Sequence, residues 1–167
     1  MENKTDLMMR SLACKTSIYR RLQRELTSMS KFYDEITIEE GKTSGEINVI
    51  IYELIDNKIV CYKFVINQNY PFVCPAVFLN NRPYKSFLYG KTNYEYINLK
   101  KNFGIECLCC ESLTCNANWS PKETLNNIIN EIKHYKKIKK NLVFKIIIDI
   151  IKRKYLIEDI DLTSWFF

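Results

Sequence analysis

The chain has 167 residues, of which 47% are hydrophobic and 26% are charged. This length suits one domain, and the composition excludes a largely disordered chain, a collagen-like chain and a disulfide-stapled miniprotein. The net charge of +6 favours acidic partners but does not by itself indicate a nucleic-acid-binding protein. We expect residues 1–14 to form an N-terminal tail and residues 15–167 to form a single domain.

The first predicted element is an amphipathic helix that begins near Ile18. Apolar residues recur on one face at helical spacing: Ile18, Tyr19, Leu22, Leu26 and Met29. Arg21 and Glu25 are four residues apart, so they can form an ion pair on this helix. The apolar face is expected to pack against the core.

Four stretches with the composition of β-strands follow the helix. They cover residues 33–40, 46–55, 59–66 and 76–79, and the sequence Asp56-Asn57-Lys58 supplies turn chemistry between the second and the third. Consecutive strands joined by short turns predict a four-stranded antiparallel meander.

The second half of the chain is predicted to be loop followed by helices. Residues 80–118 have weak periodicity and are interpreted as loop and hairpin, a length that is unusual unless the segment is functional. A helix is predicted from Pro121, with Ser120 as N-cap and Glu123 at capping-box spacing. The spacing of polar residues in 142–157 predicts a further helix. Together these elements define an α+β domain with a sheet packed on helices.

Seven cysteines, one histidine and four glycines limit the possible chemistry. The odd number of cysteines and the lack of an apolar N-terminal signal segment favour free thiols and a cytoplasmic or nuclear location. The most apolar stretch, residues 142–151, is shorter than the ~20 apolar residues that a membrane span needs. One histidine and few glycines disfavour a serine–histidine triad, a multi-histidine metal site and a glycine-rich phosphate loop.

Four cysteines fall within nine residues: Cys107, Cys109, Cys110 and Cys115. Three interpretations compete, namely thiols packed as small hydrophobic side chains, a zinc site, and a nucleophilic thiol in a loop ahead of a helix. Structural zinc sites usually have two separated pairs of ligands, so the spacing disfavours zinc. The surrounding motifs favour the nucleophile.

Those motifs occur in a fixed order over residues 15–133. They are Arg20-Arg21-Leu22-x-Arg24-Glu25-Leu26, Tyr70-Pro71-Phe72-x-x-Pro75, Tyr96-Ile97-Asn98, Gly104-x-x-Cys107-Leu108 and Trp119-Ser120-Pro121. In this order the set resembles the ubiquitin-conjugating enzyme family, whose members have a basic first helix, Tyr-Pro-Phe-x-x-Pro, His-Pro-Asn, an active-site cysteine followed by Leu, and Trp-x-Pro before the second helix. The resemblance is clear to about residue 133, and the C-terminal helices diverge.

The resemblance implies a ubiquitin-conjugating-enzyme-like fold and an acyltransferase activity. Cys107 would accept ubiquitin, or a ubiquitin-like protein, from an activating enzyme as a thioester and pass it to a substrate lysine. Asn98 would stabilise the oxyanion of the tetrahedral intermediate. No cofactor is implied, because ATP is used by the activating enzyme.

The resemblance also implies docking sites for protein partners. Phe72, Ser120 and Pro121 would contact a ubiquitin ligase. The basic face of the first helix, with Arg20, Arg21 and Arg24, would contact the activating enzyme. Substrate proteins complete the expected partners, and neither a membrane nor nucleic acid is expected.

Departures from the family pattern leave two alternatives open. Tyr96-Ile97 stands where the family has His-Pro, and the spacings before Tyr96 and after Cys107 are longer than usual. One alternative is an inactive binding module with the same fold. The other is a zinc-binding, nucleic-acid-binding protein that uses the cysteines and the basic run of residues 133–140, which predicts bound metal and salt-dependent affinity.

Overall fold

The computed structural model describes residues 17–33, 35–89 and 93–155. Within these residues there are two compact units, which we call the sheet unit (17–33, 35–89 and 107–132) and the helical unit (93–106 and 133–155). The predicted tail, residues 1–14, lies outside the described residues. A single domain over residues 15–167 stays a prediction.

The sheet unit contains one antiparallel sheet in which each strand pairs with the next along the chain. After helix α1 (Ser17–Met29), its strands are β1 (Glu35–Glu40), β2 (Ile47–Ile55), β3 (Lys58–Ile66), β4 (Ala76–Leu79) and β5 (Arg82–Pro83). The α+β class and the meander are therefore confirmed, but the predicted number of four strands is wrong. The fifth strand forms because Asn80 and Asn81 both adopt positive φ (48° and 62°), which lets a two-residue turn reverse the chain.

The core of the sheet unit follows from the alternation and the helical spacing seen in the sequence. In α1, Leu22 and Met29 are 1% and 2% exposed, as the spacing of apolar residues predicts. In the central strands, Val49 of β2 and Phe64 of β3 are fully buried. Burying one such side chain stabilises a fold by about 1.5–3 kcal/mol, so this face holds the sheet unit together.

The segment 80–118 differs from the predicted loop and hairpin. It contains α2 (Tyr84–Leu88), α3 (Asn93–Phe103) and α4 (Leu108–Glu111). Both α2 and α4 span less than two turns, so they are too short to show a helical period in the sequence. In α3, Glu95 lies in the first turn and two lysines lie in the last turn, which is the charge order that the helix dipole favours.

The last described helix is α5 (Leu125–Tyr155), with 31 residues. It begins later than the predicted start at Pro121 and continues without a break through residues 142–155 of the stretch predicted as a separate helix, whose last two residues, 156 and 157, lie outside the described residues. Thr124 caps it, because the hydroxyl of Thr124 accepts the N–H of Asn127 at 3.2 Å. Ser120 is not the N-cap: its buried Oγ has no hydrogen-bond partner among the described residues. In the part of the chain that the structure describes, no helix has the length and apolar character to cross a membrane.

Candidate functional site

Cys107 lies directly before the single turn of α4. Its backbone is extended (φ −154°, ψ 116°), and its carbonyl accepts the N–H groups of Cys110 and Glu111, each at 3.2 Å. These bonds close the turn that follows the cysteine. The side chain of Cys107 is half-buried, so part of it reaches solvent.

Two further thiols lie beside Cys107. The Sγ atoms of Cys107, Cys109 and Cys110 are all within 4.8 Å of one another, and those of Cys109 and Cys110 are 3.9 Å apart. Cys109 is half-buried and Cys110 is exposed. We call these three residues the thiol cluster. One helical turn gathers three of the four cysteines whose spacing along the chain disfavoured a zinc site.

Hydrogen bonds within the thiol cluster and burial together shift the pKa values of its members. The pKa of Cys107 is lowered, chiefly because the Cys109 thiol donates a hydrogen bond to its sulfur. Burial, followed by its bond to Cys107, raises the pKa of Cys109 to about 12. The pKa of Cys110 is also raised, first by its hydrogen bond with Cys107. A single negative charge in the cluster therefore resides most readily on Cys107.

The loop that follows the thiol cluster is held by Glu131 of α5. Its carboxylate accepts the Ser112 hydroxyl at 2.7 Å, the Leu113 N–H and the Tyr84 hydroxyl at 3.0 Å. Glu131 was not predicted from the sequence. The available signal was an acidic side chain three residues after Ile128, which is buried, because an acidic group on that face of a helix needs polar partners within the fold.

Asn118 makes a second clamp on the same loop. Its side-chain amide donates to the carbonyl of Cys110 at 2.6 Å and to that of Ser112 at 3.1 Å. The end of α4 and the start of the loop are thus fixed on both sides. The backbone at the C-terminal end of α4 is in this way held by the sheet unit as well as by the turn itself.

The residues predicted to dock a ligase lie on two loops that are joined to each other. The indole N–H of Trp119 donates to the carbonyl of Pro71 at 2.8 Å, and the rings of Trp119 and Tyr70 are 6.3 Å apart. Phe72 on one loop is 77% exposed. On the other loop, Ser120 is half-buried and Pro121 is exposed. The structure thus brings the two loops together, and their docking role stays a prediction.

The three arginines predicted to meet the activating enzyme differ in their surroundings. Arg20 and Arg24 are exposed. Arg21 is half-buried, pairs with the carboxylate of Glu25, and donates to the carbonyl of Glu123 at 2.9 Å. The exposed Arg20 and Arg24 are available to a partner, whereas Arg21 contributes to the packing of the sheet unit.

Glu25 is the centre of that packing. Besides Arg21, its carboxylate accepts the Tyr70 hydroxyl at 2.6 Å and the backbone N–H of Leu125 at 2.9 Å. We call this arrangement the Glu25 anchor. It puts a negative charge at the first residue of α5, where the helix dipole favours one.

Asn98, predicted to stabilise the oxyanion, lies in α3 of the helical unit. It is 5% exposed, and the Asn102 side chain donates to its carbonyl at 3.0 Å and to its Oδ1 at 3.5 Å. The motif Tyr96-Ile97-Asn98 is thus on a helix and not in the loop that the sequence reasoning expected. Its catalytic role stays a prediction.

Comparisons of the chain with protein-family models, with curated proteins and with solved structures find no match. The motifs, their places in the fold and the chemistry of the thiol cluster are therefore the indications of function.

Proposed function

We propose that this protein is a divergent ubiquitin-conjugating enzyme in which Cys107 carries ubiquitin, or a ubiquitin-like protein, as a thioester. The observation that carries the proposal is the setting of Cys107: a partly exposed thiol directly before α4, a one-turn helix whose following loop is clamped by Glu131 and Asn118. The order of elements, with α1 before an antiparallel meander and α5 after the cysteine, suits a ubiquitin-conjugating-enzyme-like fold.

The chemistry needs a thiol and little else from this chain. The Cys107 thiol gives up its proton and its sulfur attacks the carbonyl carbon of the modifier's thioester on the activating enzyme. A new C–S bond forms, the C–S bond to the activating enzyme breaks, and the thiolate of that enzyme leaves and takes up a proton. A substrate lysine amine then attacks the carbonyl carbon, an amide bond forms, and the Cys107 thiolate leaves while the amine loses its proton to solvent. A thiol that exchanges with another thioester needs no resident base, so a chain with a single histidine is suited to this reaction.

Two surfaces suit the partners that this reaction requires. Phe72 and Pro121 offer exposed apolar side chains for a ligase, on loops tied together by the Trp119–Pro71 hydrogen bond. Arg20 and Arg24 offer exposed positive charge to an acidic surface on the activating enzyme. ATP is consumed by that enzyme, and the location proposed for the reaction is the cytoplasm or the nucleus.

A charging assay tests the proposal. The purified chain is incubated with activating enzyme, ATP and a panel of modifiers, and the products are compared on gels with and without a thiol reductant. We expect a reducible adduct for the wild type, an adduct resistant to reductant for Cys107→Ser, and none for Cys107→Ala. Cys61→Ala, in β3, is the matched control and should charge like the wild type. If Cys107→Ala is charged as fully as the wild type, Cys107 is not the nucleophile.

The buried position of Asn98 favours a second candidate, an inactive binding module of the same fold. An oxyanion donor must face the reacting carbonyl, and removing one costs about 10²–10³-fold in rate in enzymes that depend on it. If Asn98 has this role, Asn98→Ala charges normally but discharges to lysine about 10²-fold more slowly. A chain that binds a modifier without ever forming an adduct would instead be a binding module.

A further inference from the structure

We infer that the thiol cluster is a zinc site, in which Cys107, Cys109 and Cys110 bind one Zn²⁺ and leave a fourth position open to solvent. Bound zinc would then prevent Cys107 from carrying a modifier. The second statement rests on the proposed function, whereas the metal site itself does not.

The distances between the sulfur atoms carry this inference. Tetrahedral zinc with Zn–S bonds of about 2.3 Å requires sulfur atoms about 3.8 Å apart. The separation of the Cys109 and Cys110 Sγ atoms is 3.9 Å, and no pair in the cluster exceeds 4.8 Å. Closing the set around an ion therefore needs shifts of about 1 Å or less, which side-chain rotation supplies.

The surroundings suit an ion that enters from solvent. Cys110 is exposed, so an ion has a path to the cluster, and the open fourth position can hold water. The turn that carries the ligands is closed by bonds from the Cys110 and Glu111 N–H groups to the Cys107 carbonyl, and its C-terminal end is held because Asn118 donates to the Cys110 carbonyl and Glu131 accepts the N–H of Leu113. Such supports reduce the cost of ordering ligands when a metal binds.

The class of ion follows from the ligand atoms. Three thiolates are soft donors, which select zinc over the hard cations magnesium and calcium. Binding converts three thiols and Zn²⁺ into a three-thiolate complex with one negative charge and releases three protons. The zinc bond engages the Cys107 sulfur, so this sulfur no longer attacks a thioester. The cluster would thus make modifier charging sensitive to free zinc.

Metal titration tests the site independently of any activity. The reduced full-length chain is titrated with Co²⁺, which reports thiolate ligands by sulfur-to-metal charge-transfer absorption, and Zn²⁺ is then added to displace it. We expect one equivalent to bind, and Cys109→Ser and Cys110→Ser each to weaken binding by at least about tenfold. Cys61→Ala should bind as the wild type does. An absent absorption band, or one that survives both serine substitutions, would overturn the inference.

The charging assay separates failure of this inference from failure of the proposed function. At free zinc ten times the Kd, we expect the wild-type charging rate to fall about tenfold and a chelator to restore it. The variant with both Cys109→Ser and Cys110→Ser keeps Cys107, and its rate, whatever its value, should be the same with and without zinc. This variant also controls for zinc acting on the activating enzyme. If zinc slows charging equally in both proteins, the regulatory role of the cluster is refuted. If the chain binds cobalt but is never charged, only the proposed enzymatic function is refuted.

Discussion

The Glu25 anchor joins α1, the loop after β3 and the first residue of α5, so replacing Glu25 tests how the sheet unit is held together. One carboxylate oxygen accepts Arg21 and Tyr70, and the other accepts the N–H of Leu125. In Glu25→Ala the Tyr70 hydroxyl and the Leu125 N–H lose this acceptor. Both residues are buried, at 1% and 0% exposure, so water cannot readily replace it.

The size of the effect follows from these two donors. An unsatisfied buried donor costs about 1–3 kcal/mol, so two cost about 2–6 kcal/mol. Arg21 is half-buried and can be rehydrated, so it adds little. We expect Glu25→Ala to lower the free energy of unfolding by about 4 kcal/mol, within the range of about 3–5 kcal/mol for breaking a buried ion pair. Glu25→Gln keeps one acceptor oxygen but sets its amide NH2 against a donor in either orientation, the Leu125 N–H or the Arg21 guanidinium, and should cost about 1–3 kcal/mol.

Urea unfolding followed by far-UV circular dichroism at pH 7 measures these differences. Gln23→Ala, at an exposed position of the same helix, is the matched control and should change stability by less than about 0.5 kcal/mol. A cycle of Tyr70→Phe with Glu25→Ala should give a coupling energy of at least about 0.5 kcal/mol. If Glu25→Ala is no more destabilising than Gln23→Ala, the anchor contributes nothing and the reasoning is refuted.

Three further predictions concern the site loop, the cap of α5 and alkaline pH. Glu131→Gln should destabilise the chain by about 1–3 kcal/mol and slow the charging of Cys107. The control Asn130→Ala, at the exposed neighbouring position, should do neither. If Glu131→Gln charges as fast as the wild type, Glu131 has no positioning role. Thr124→Ala should lower the free energy of urea unfolding by about 1 kcal/mol, and Thr124→Ser should lower it much less. If Ser120→Ala is destabilising and Thr124→Ala is not, Ser120 and not Thr124 is the N-cap. Burial raises the pKa of Cys74 from 9.0 to about 12, so the folded state favours the protonated thiol. The contribution of this thiol to stability is full below pH 9 and should be lost as the pH rises toward 12, so the urea midpoint should fall less steeply with pH in Cys74→Ala than in the wild type. Parallel pH profiles of the urea midpoint in the two proteins would contradict this.

The elements predicted correctly are those whose residues repeat at a regular period. Helix α1 follows from the spacing of Leu22, Leu26 and Met29, which are all buried. Strands β2 and β3 follow from runs of β-branched residues around a turn in which Asp56 and Asn57 adopt positive φ. In both cases the local pattern agrees with the observed burial, so a short window of sequence is enough to predict the element.

The helices of segment 80–118 were missed because the periodicity of this segment is weak. The one-turn helix α4 is too short for any period, and the partners that hold its loop, Asn118 and Glu131, bind mainly backbone groups, which no side-chain pattern reveals. Cys107 was found through neighbouring motifs, whereas a zinc site on the nearby cysteines was considered and disfavoured, because rules for zinc ligands count separations along the chain. A single turn brings positions 107, 109 and 110 together in space.

Because Trp119 is hydrogen-bonded to Pro71, the fluorescence of this tryptophan can report on the two loops. Tyr70 lies 6.3 Å from the indole, close enough to pass excitation energy to it, and exposed Phe72 lies next along the chain. Replacing Trp165 by Phe leaves Trp119 as the only tryptophan. The emission of this variant then comes from Trp119, so a molecule that parts the two loops and breaks the hydrogen bond to Pro71 should shift it without an attached dye.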